Sequence, residues 1–215
     1  MKNVAILGSG EVGAALAKGF LAAGYAVMRG SREPAKLAAW KDGAGAGASI
    51  GTFAEAAAWG EVIVLCVKGS AAVDVLDQAG LDNFAGKTVI DTTNPIAEGK
   101  PDNGMLRYFT NANESLMERL QAKAPNANFV KAFNSVGSMF MVNPPFQPRA
   151  TMFIGGNSAE AKQQTTKILD QFGWDVTDVG GVEAARPIEQ LCILWCAPGF
   201  LRNDWAHAFK WLKLG

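Results

Sequence analysis

The chain is short of three things: charge of one sign, cysteine and histidine. Twenty lysines and arginines balance twenty aspartates and glutamates, for a formal net charge of zero. A basic surface for nucleic acid or for an anionic membrane is therefore not expected. No apolar run approaches the length of a bilayer span. No basic and apolar leader precedes Val4, which already opens the first strand, so a cytoplasmic location is expected. Three cysteines, an odd number without metal-ligand spacing, point to a reducing compartment and to no metal site. Cys192 and Cys196 fall on one face of a helix, as a redox pair or as two small buried hydrophobes. The single histidine, His207, lies in an aromatic stretch that reads as helical, and it is expected to pack there. With so few groups able to move a proton, no catalytic side chain is assigned.

What the chain does have is a glycine signature at its start. Residues 4–7 are a short apolar, β-branched run. Gly8-Ser9-Gly10-Glu11-Val12-Gly13 is a complete G-x-G-x-x-G, and apolar helix formers run on to Ala23 before Gly24. Strand, glycine turn and helix in this order form the dinucleotide-binding fingerprint. Gly8 permits the tight turn, Gly10 lets backbone approach a pyrophosphate, and Gly13 lets the helix pack on the strand. The free N–H groups and positive dipole end of that helix face the phosphates.

The next strand, read from Tyr25 through Met28 and ending near Arg29 or Gly30, selects between dinucleotides. An Asp or Glu at its end would accept hydrogen bonds from a ribose 2′-hydroxyl. This chain instead has Arg29, Ser31, Arg32 and Lys36, with Glu33 past the expected strand end. A hydroxyl, a guanidinium and an ammonium suit a 2′-phosphate, so NADP is the expected cofactor. Arg29 reads either as a further phosphate ligand or as a solvated surface charge.

Strand and helix signals then alternate. A helix is expected from Pro34 to about Trp40, and 42–51 reads as a glycine-alanine loop holding at most a short strand. Thr52 and Glu55 fit a capping box. Strands follow at 62–67, 87–92 and 129–133, and helices at 71–79 and 115–123. Such alternation implies right-handed crossovers and a Rossmann-type, doubly wound parallel sheet of the α/β class. The pattern changes at Pro144, Pro145 and Pro148. This divides the chain into a nucleotide-binding domain, 1–145, and a small α/β-to-helical domain, 146–215. In the latter a strand is expected at 151–154, a helix at 158–172, a strand at 174–178 and a long helical stretch from Glu183. Pro187 and Pro198 should start or kink helices. Trp195, Phe200, Trp205, Phe209 and Trp211 read as core packing with a share in a homodimer interface.

Ligands of open α/β sheets bind beyond the strand carboxyl ends. Val67 and Lys68, Asn94 and Pro95, and Asn134, Val136 and Gly137 converge there with the glycine turn. Lys68 could reach a nicotinamide or substrate, or simply be solvated. Asn94 and Asn134 could orient a carboxamide or an acceptor, or cap the turns at the strand ends. A site so poor in titratable groups suits direct hydride transfer, in which the protein orients the partners and excludes water.

The segments VAILGSGEVG, GSREPAK, VKAFNSVGSMFMVNP and TMFIGGNSAEAK resemble the NADP oxidoreductase family typified by coenzyme F-420-dependent NADP oxidoreductase, whose relatives include the nucleotide domain of the STEAP metalloreductases. The resemblance covers nearly the whole chain. It implies phosphate contacts from Ser9, Gly10, Glu11 and Val12, 2′-phosphate contacts from Ser31, Arg32 and Lys36, and a nicotinamide pocket around Val67, Lys68 and 134–137. It also implies a deazaflavin stacked from the side of the C-terminal domain. The KAFNSVG segment and the Asn94-Pro95 loop depart from the deazaflavin-binding pattern. Hydride transfer between NADPH and a deazaflavin (coenzyme F-420) or flavin-like acceptor is the leading expectation. A reductase of a small imine, carbonyl or metal chelate, and a non-catalytic NADP-sensing module, are the alternatives.

Overall fold

The computed structural model describes residues 2–214. Six parallel strands form the main sheet: β1 (Asn3–Leu7), β2 (Ala26–Gly30), β3 (Ala48–Gly51), β4 (Val62–Leu65), β5 (Thr88–Asp91) and β6 (Asn128–Lys131). Their order is β3-β2-β1-β4-β5-β6, the doubly wound Rossmann arrangement. The glycine-alanine stretch does yield the short strand β3. β2 ends at Gly30, as expected, where it pairs with Leu7 of β1.

The strands alternate their side chains between two cores. Val4, Ile6, Val62, Val64, Ile90 and Val130 face one side, where helix α1 (Glu11–Ala22) contributes Leu16, Ala17 and Phe20. Ala5, Leu7, Ile63, Leu65, Val89 and Phe129 face the other, under α3 (Phe53–Trp59), α4 (Ala72–Ala79) and α5 (Leu116–Lys123). Both faces of the sheet are dry, which is why β4 reads as one unbroken apolar run. Between β2 and β3 lie a 3₁₀ turn, Pro34–Leu37, and helix α2 (Ala38–Ala44). The capping box at the start of α3 forms: Glu55 N–H donates to Thr52 Oγ1 at 3.2 Å and Thr52 N–H to Glu55 Oε2 at 2.7 Å.

Beyond Pro148 the chain makes a second, two-stranded parallel sheet, β7 (Thr151–Ile154) and β8 (Asp175–Asp178), joined by α6 (Ala159–Gln171). α6 brings Ile168 and Leu169 into the first core, next to Phe133 and Phe172. The last helix, α7 (Ala185–Arg202), continues through Pro198, which does not end it. From Asn203, a left-handed cap, the chain is irregular. The aromatic stretch around His207 is thus an extended tail and not the expected helix.

Candidate functional site

Two adjoining cavities lie at the carboxyl edge of the main sheet. The first, about 720 Å³, is lined by Ser9–Val12 of the glycine turn, by Ser31, Arg32 and Lys36 after β2, by Val67 and Lys68 after β4, and by Val136 and Gly137 after β6. The second, about 400 Å³, shares Val12, Val67 and Lys68 and is otherwise walled by Gly69, Ser70 and the 92–99 loop. Its lining comes from that loop and not from residues beyond 146.

The glycines act in different ways. A Cβ on Gly8 would sit 2.3 Å from the Cys66 carbonyl oxygen, and one on Gly13 would sit 2.8 Å from the Gly8 oxygen. These two therefore allow β1, β4 and α1 to approach, and stand behind the cavity. Gly10 has nothing within 4 Å of its Cβ direction, so the turn is open on the ligand side. Gly10 is also the extended N-cap of α1, and no side chain caps this helix end. Its free N–H groups and dipole meet the requirement for binding a phosphate.

After β2, the Ser31 hydroxyl accepts the Glu33 N–H at 3.2 Å and fixes the loop. Lys36 Nζ pairs with Glu33 at 2.8 Å on the surface, and that hydrogen bond holds the Glu33 carboxyl below its ordinary range. Among the described residues Arg32 has no ion-pair partner and is exposed at the cavity edge. Arg29 fits neither expectation drawn for it. It is 2% exposed, its Nη2 donates to the carbonyls of Gly8 (3.2 Å) and Gly10 (3.0 Å), and its guanidinium lies 4.9 Å from the centre of the Trp40 ring. It points inward because side chains alternate along β2, placing Arg29 under α1.

At the other end, Asn94 and Asn134 clasp each other. Asn94 Nδ2 donates to the Asn134 carbonyl at 2.8 Å, while Asn134 Nδ2 donates to Asn94 Oδ1 at 3.0 Å and to the Ile188 carbonyl at 2.9 Å. Phe133, at φ 64°, turns the chain through the left-handed region just after β6 and so directs Asn134 back towards β5. Asn94 lines the second cavity, whereas Pro95 and Asn134 line neither and support the loop from behind.

Beneath this clasp is a group that the sequence reading missed. Lys131 is fully buried, with Nζ 2.6 Å from Asp91, 2.8 Å from Glu189 and 2.8 Å from the Thr93 carbonyl. Glu189 in turn accepts the Leu116 and Met117 N–H groups at the start of α5. Burial pushes the Lys131 ammonium down, but the two carboxylates outweigh it and hold it charged. The signal was available: an aspartate and a lysine each follow two apolar residues at the end of a short strand, in TVID and NFVK.

Cys66 lines the first cavity, and burial pushes its thiol up to about 12, so it is not a nucleophile. Cys192 and Cys196 do share a helix face, with sulfurs 4.0 Å apart. His207 packs, as expected: its ring lies on Trp195, with centroids 5.2 Å apart, and Nε2 is 2.9 Å from the Trp195 carbonyl. Trp195 reaches the site from behind, since a Cβ on Gly137 would fall 2.9 Å from its ring. No group of His, Cys, Asp and Glu suited to a metal is found among the described residues, and no helix among them is long and apolar enough to cross a membrane.

Comparison with known proteins agrees with this architecture. Residues 3–95 match the family model for NADP oxidoreductase, coenzyme F420-dependent. Rat metalloreductase STEAP3 is 28% identical over 189 residues, which are 88% of this chain and 36% of that protein. Human metalloreductase STEAP2 is 24% identical over 200 residues, 91% of this chain and 38% of that protein. The chain thus spans little more than a third of the length of the curated relatives it matches. The crystal structure of a candidate F420-dependent NADP-reductase from Arthrobacter sp. FB24 is 29% identical and superposes with a TM-score of 0.92, covering 99% of this chain and all of that one. At 18% identity and a TM-score of 0.68, a Streptomyces aurantiacus imine reductase shares the fold, over 93% of this chain and 63% of its own.

Proposed function

Taking residues 3–95 as a domain of the NADP oxidoreductase family, we propose that the chain binds NADP(H) in the first cavity and passes hydride between it and a planar acceptor in the second. One observation carries this reading. The cavity that begins at the glycine turn and at Ser31, Arg32 and Lys36 runs to Val12, Val67 and Lys68, and there meets a second cavity of a size to take a ring system.

The residues fit the cofactor. Arg32 and Lys36 carry the positive charge that a 2′-phosphate needs, with Lys36 leaving Glu33 to bind it. The open face of Gly10 and the uncapped start of α1 take the pyrophosphate. When bound, NADPH supplies a hydride from its nicotinamide. The chain holds the nicotinamide end between Val12, Val67 and the 136–137 backbone, with Trp195 packed behind Gly137, so residues 146–215 support the cleft from behind. Lys68 and Glu98 are the titratable groups lining the second cavity, in keeping with a reaction that needs no proton transfer from protein. A deazaflavin such as coenzyme F-420, or a flavin-like ring, fits such a reaction, and a cytoplasmic location suits these partners. Leu194 and Leu201, 59% and 56% exposed on α7, offer a face for a homodimer, which sedimentation would detect.

The test is anaerobic NADPH oxidation with coenzyme F-420, FMN and a ferric chelate in turn. Turnover with F-420 or FMN is expected. Turnover with the ferric chelate alone would make the chain a metal-chelate reductase. Binding of NADPH with no acceptor turned over would make it a sensor.

A further inference from the structure

The least explained charge in the molecule is Arg29. Buried cations are normally paired with carboxylates, because an unpaired charge removed from water is costly. Arg29 is 2% exposed; among the described residues its hydrogen bonds go only to the two glycine carbonyls, and Nε has no partner. The Cys66 thiol beside it is kept protonated by burial and so offers no negative charge to balance it. The guanidinium lies under the first turn of α1, with Nη2 3.3 Å from where a Gly13 Cβ would be. A full positive charge therefore stands behind the same turn whose N–H groups face the first cavity.

We propose that Arg29 is a positioning residue for a pyrophosphate ligand. It ties the carbonyls of Gly8 and Gly10 inward, leaving the N–H side of the turn outward, and supplies from behind the charge that the ligand's two negative charges balance. Arg29 and Arg32 thus divide the cofactor between them, one serving the pyrophosphate and the other the 2′-phosphate. This inference rests on the NADP(H) reading above.

The test compares two ligands by calorimetry. NADPH carries both phosphate groups, whereas 2′-AMP carries only the 2′-phosphate. In Arg29→Gln, checked for wild-type folding by circular dichroism, NADPH should bind about tenfold more weakly while 2′-AMP binds as before. Arg29→Lys, which keeps the charge, should recover most of the NADPH affinity. Where Gln does not fold, Arg29→Met keeps the stem on Trp40 and is read in the same way. Unchanged NADPH affinity in a folded neutral variant, or equal loss of both ligands, would overturn the proposal and leave the NADP(H) reading intact. A wild-type protein that binds neither ligand would overturn both.

Discussion

Arg29 and Arg32 stand three positions apart and are sorted by geometry alone: the strand turns one under α1 and the loop leaves the other at the cavity edge. Sequence gives their charge but not their direction, because only the pairing of β2 with β1 and the packing of α1 decide which face of the strand Arg29 takes. Arg32→Glu should therefore weaken NADPH binding by about tenfold or more and NADH binding little, since a carboxylate would face the 2′-phosphate. Fluorescence titration with both nucleotides checks this, and equal loss for both would place the 2′-phosphate elsewhere. Lys131 supplies the opposite kind of prediction. Replacing it with Met strands Asp91 and Glu189 in a dry core, and urea unfolding should show a loss of about 3–5 kcal/mol.

At the scale of elements, the strands and helices of the main sheet were legible, because two-sided burial writes an apolar run and capping boxes write their own starts. The Glu118 box at α5 shows where that legibility ends. A helix is expected at 115–123, and Ser115 and Glu118 exchange the hydrogen bonds of a capping box at its start. Nothing in the sequence joins Glu118 to Arg186, yet the two meet with three hydrogen bonds and tie α5 to the first turn of α7. The asparagine clasp was half legible for the same reason: both residues were marked as strand-end groups, while the left-handed Phe133 that pairs them is set by tertiary packing. The α5–α7 tie has a pH signature. The Arg186 hydrogen bond holds the Glu118 carboxyl below its usual range. Its stabilising contribution is complete above the ordinary glutamate value of about 4.3 and fades as the pH falls through the lower folded value. Glu118→Gln should thus be less stable than wild type near neutrality, with the gap closing in acid. Thermal melts across that range check it, and a gap independent of pH would mean that the ion pair contributes nothing.

Across the whole molecule, the site is held together by chain that is remote from it in sequence. The tail runs along the edge of β7, where Thr151 N–H donates to the Phe209 carbonyl at 2.8 Å and Lys210 binds the Arg149 carbonyl and Asp175. Further back, the Trp195 Nε1 donates to the His207 carbonyl at 2.8 Å, and Trp205 packs on Gly199 and on Trp195. The tail thereby shields Trp195, and Trp195 backs Gly137 at the inner end of the first cavity. Read as sequence, these aromatics were a packing stretch of helix. They are packed without being helical, because after the left-handed Asn203 the chain meets its partners one side chain at a time. Removing the chain beyond Asn203 should lower the melting temperature by about 4–8 °C, the effect of losing roughly 2 kcal/mol in a domain of this size. It should also weaken NADPH binding, while 2′-AMP, bound at the far end of the cavity, binds as before. A point substitution separates shielding from mere length. A Cβ on Gly199 would fall 2.3 Å from the Trp205 ring, so Gly199→Ala should push Trp205 off Trp195 with the tail otherwise intact. If Gly199→Ala weakens NADPH binding as the truncation does, the tail acts on the cofactor site through Trp195. If only the truncation does, the tail stabilises β7 and the site does not depend on it.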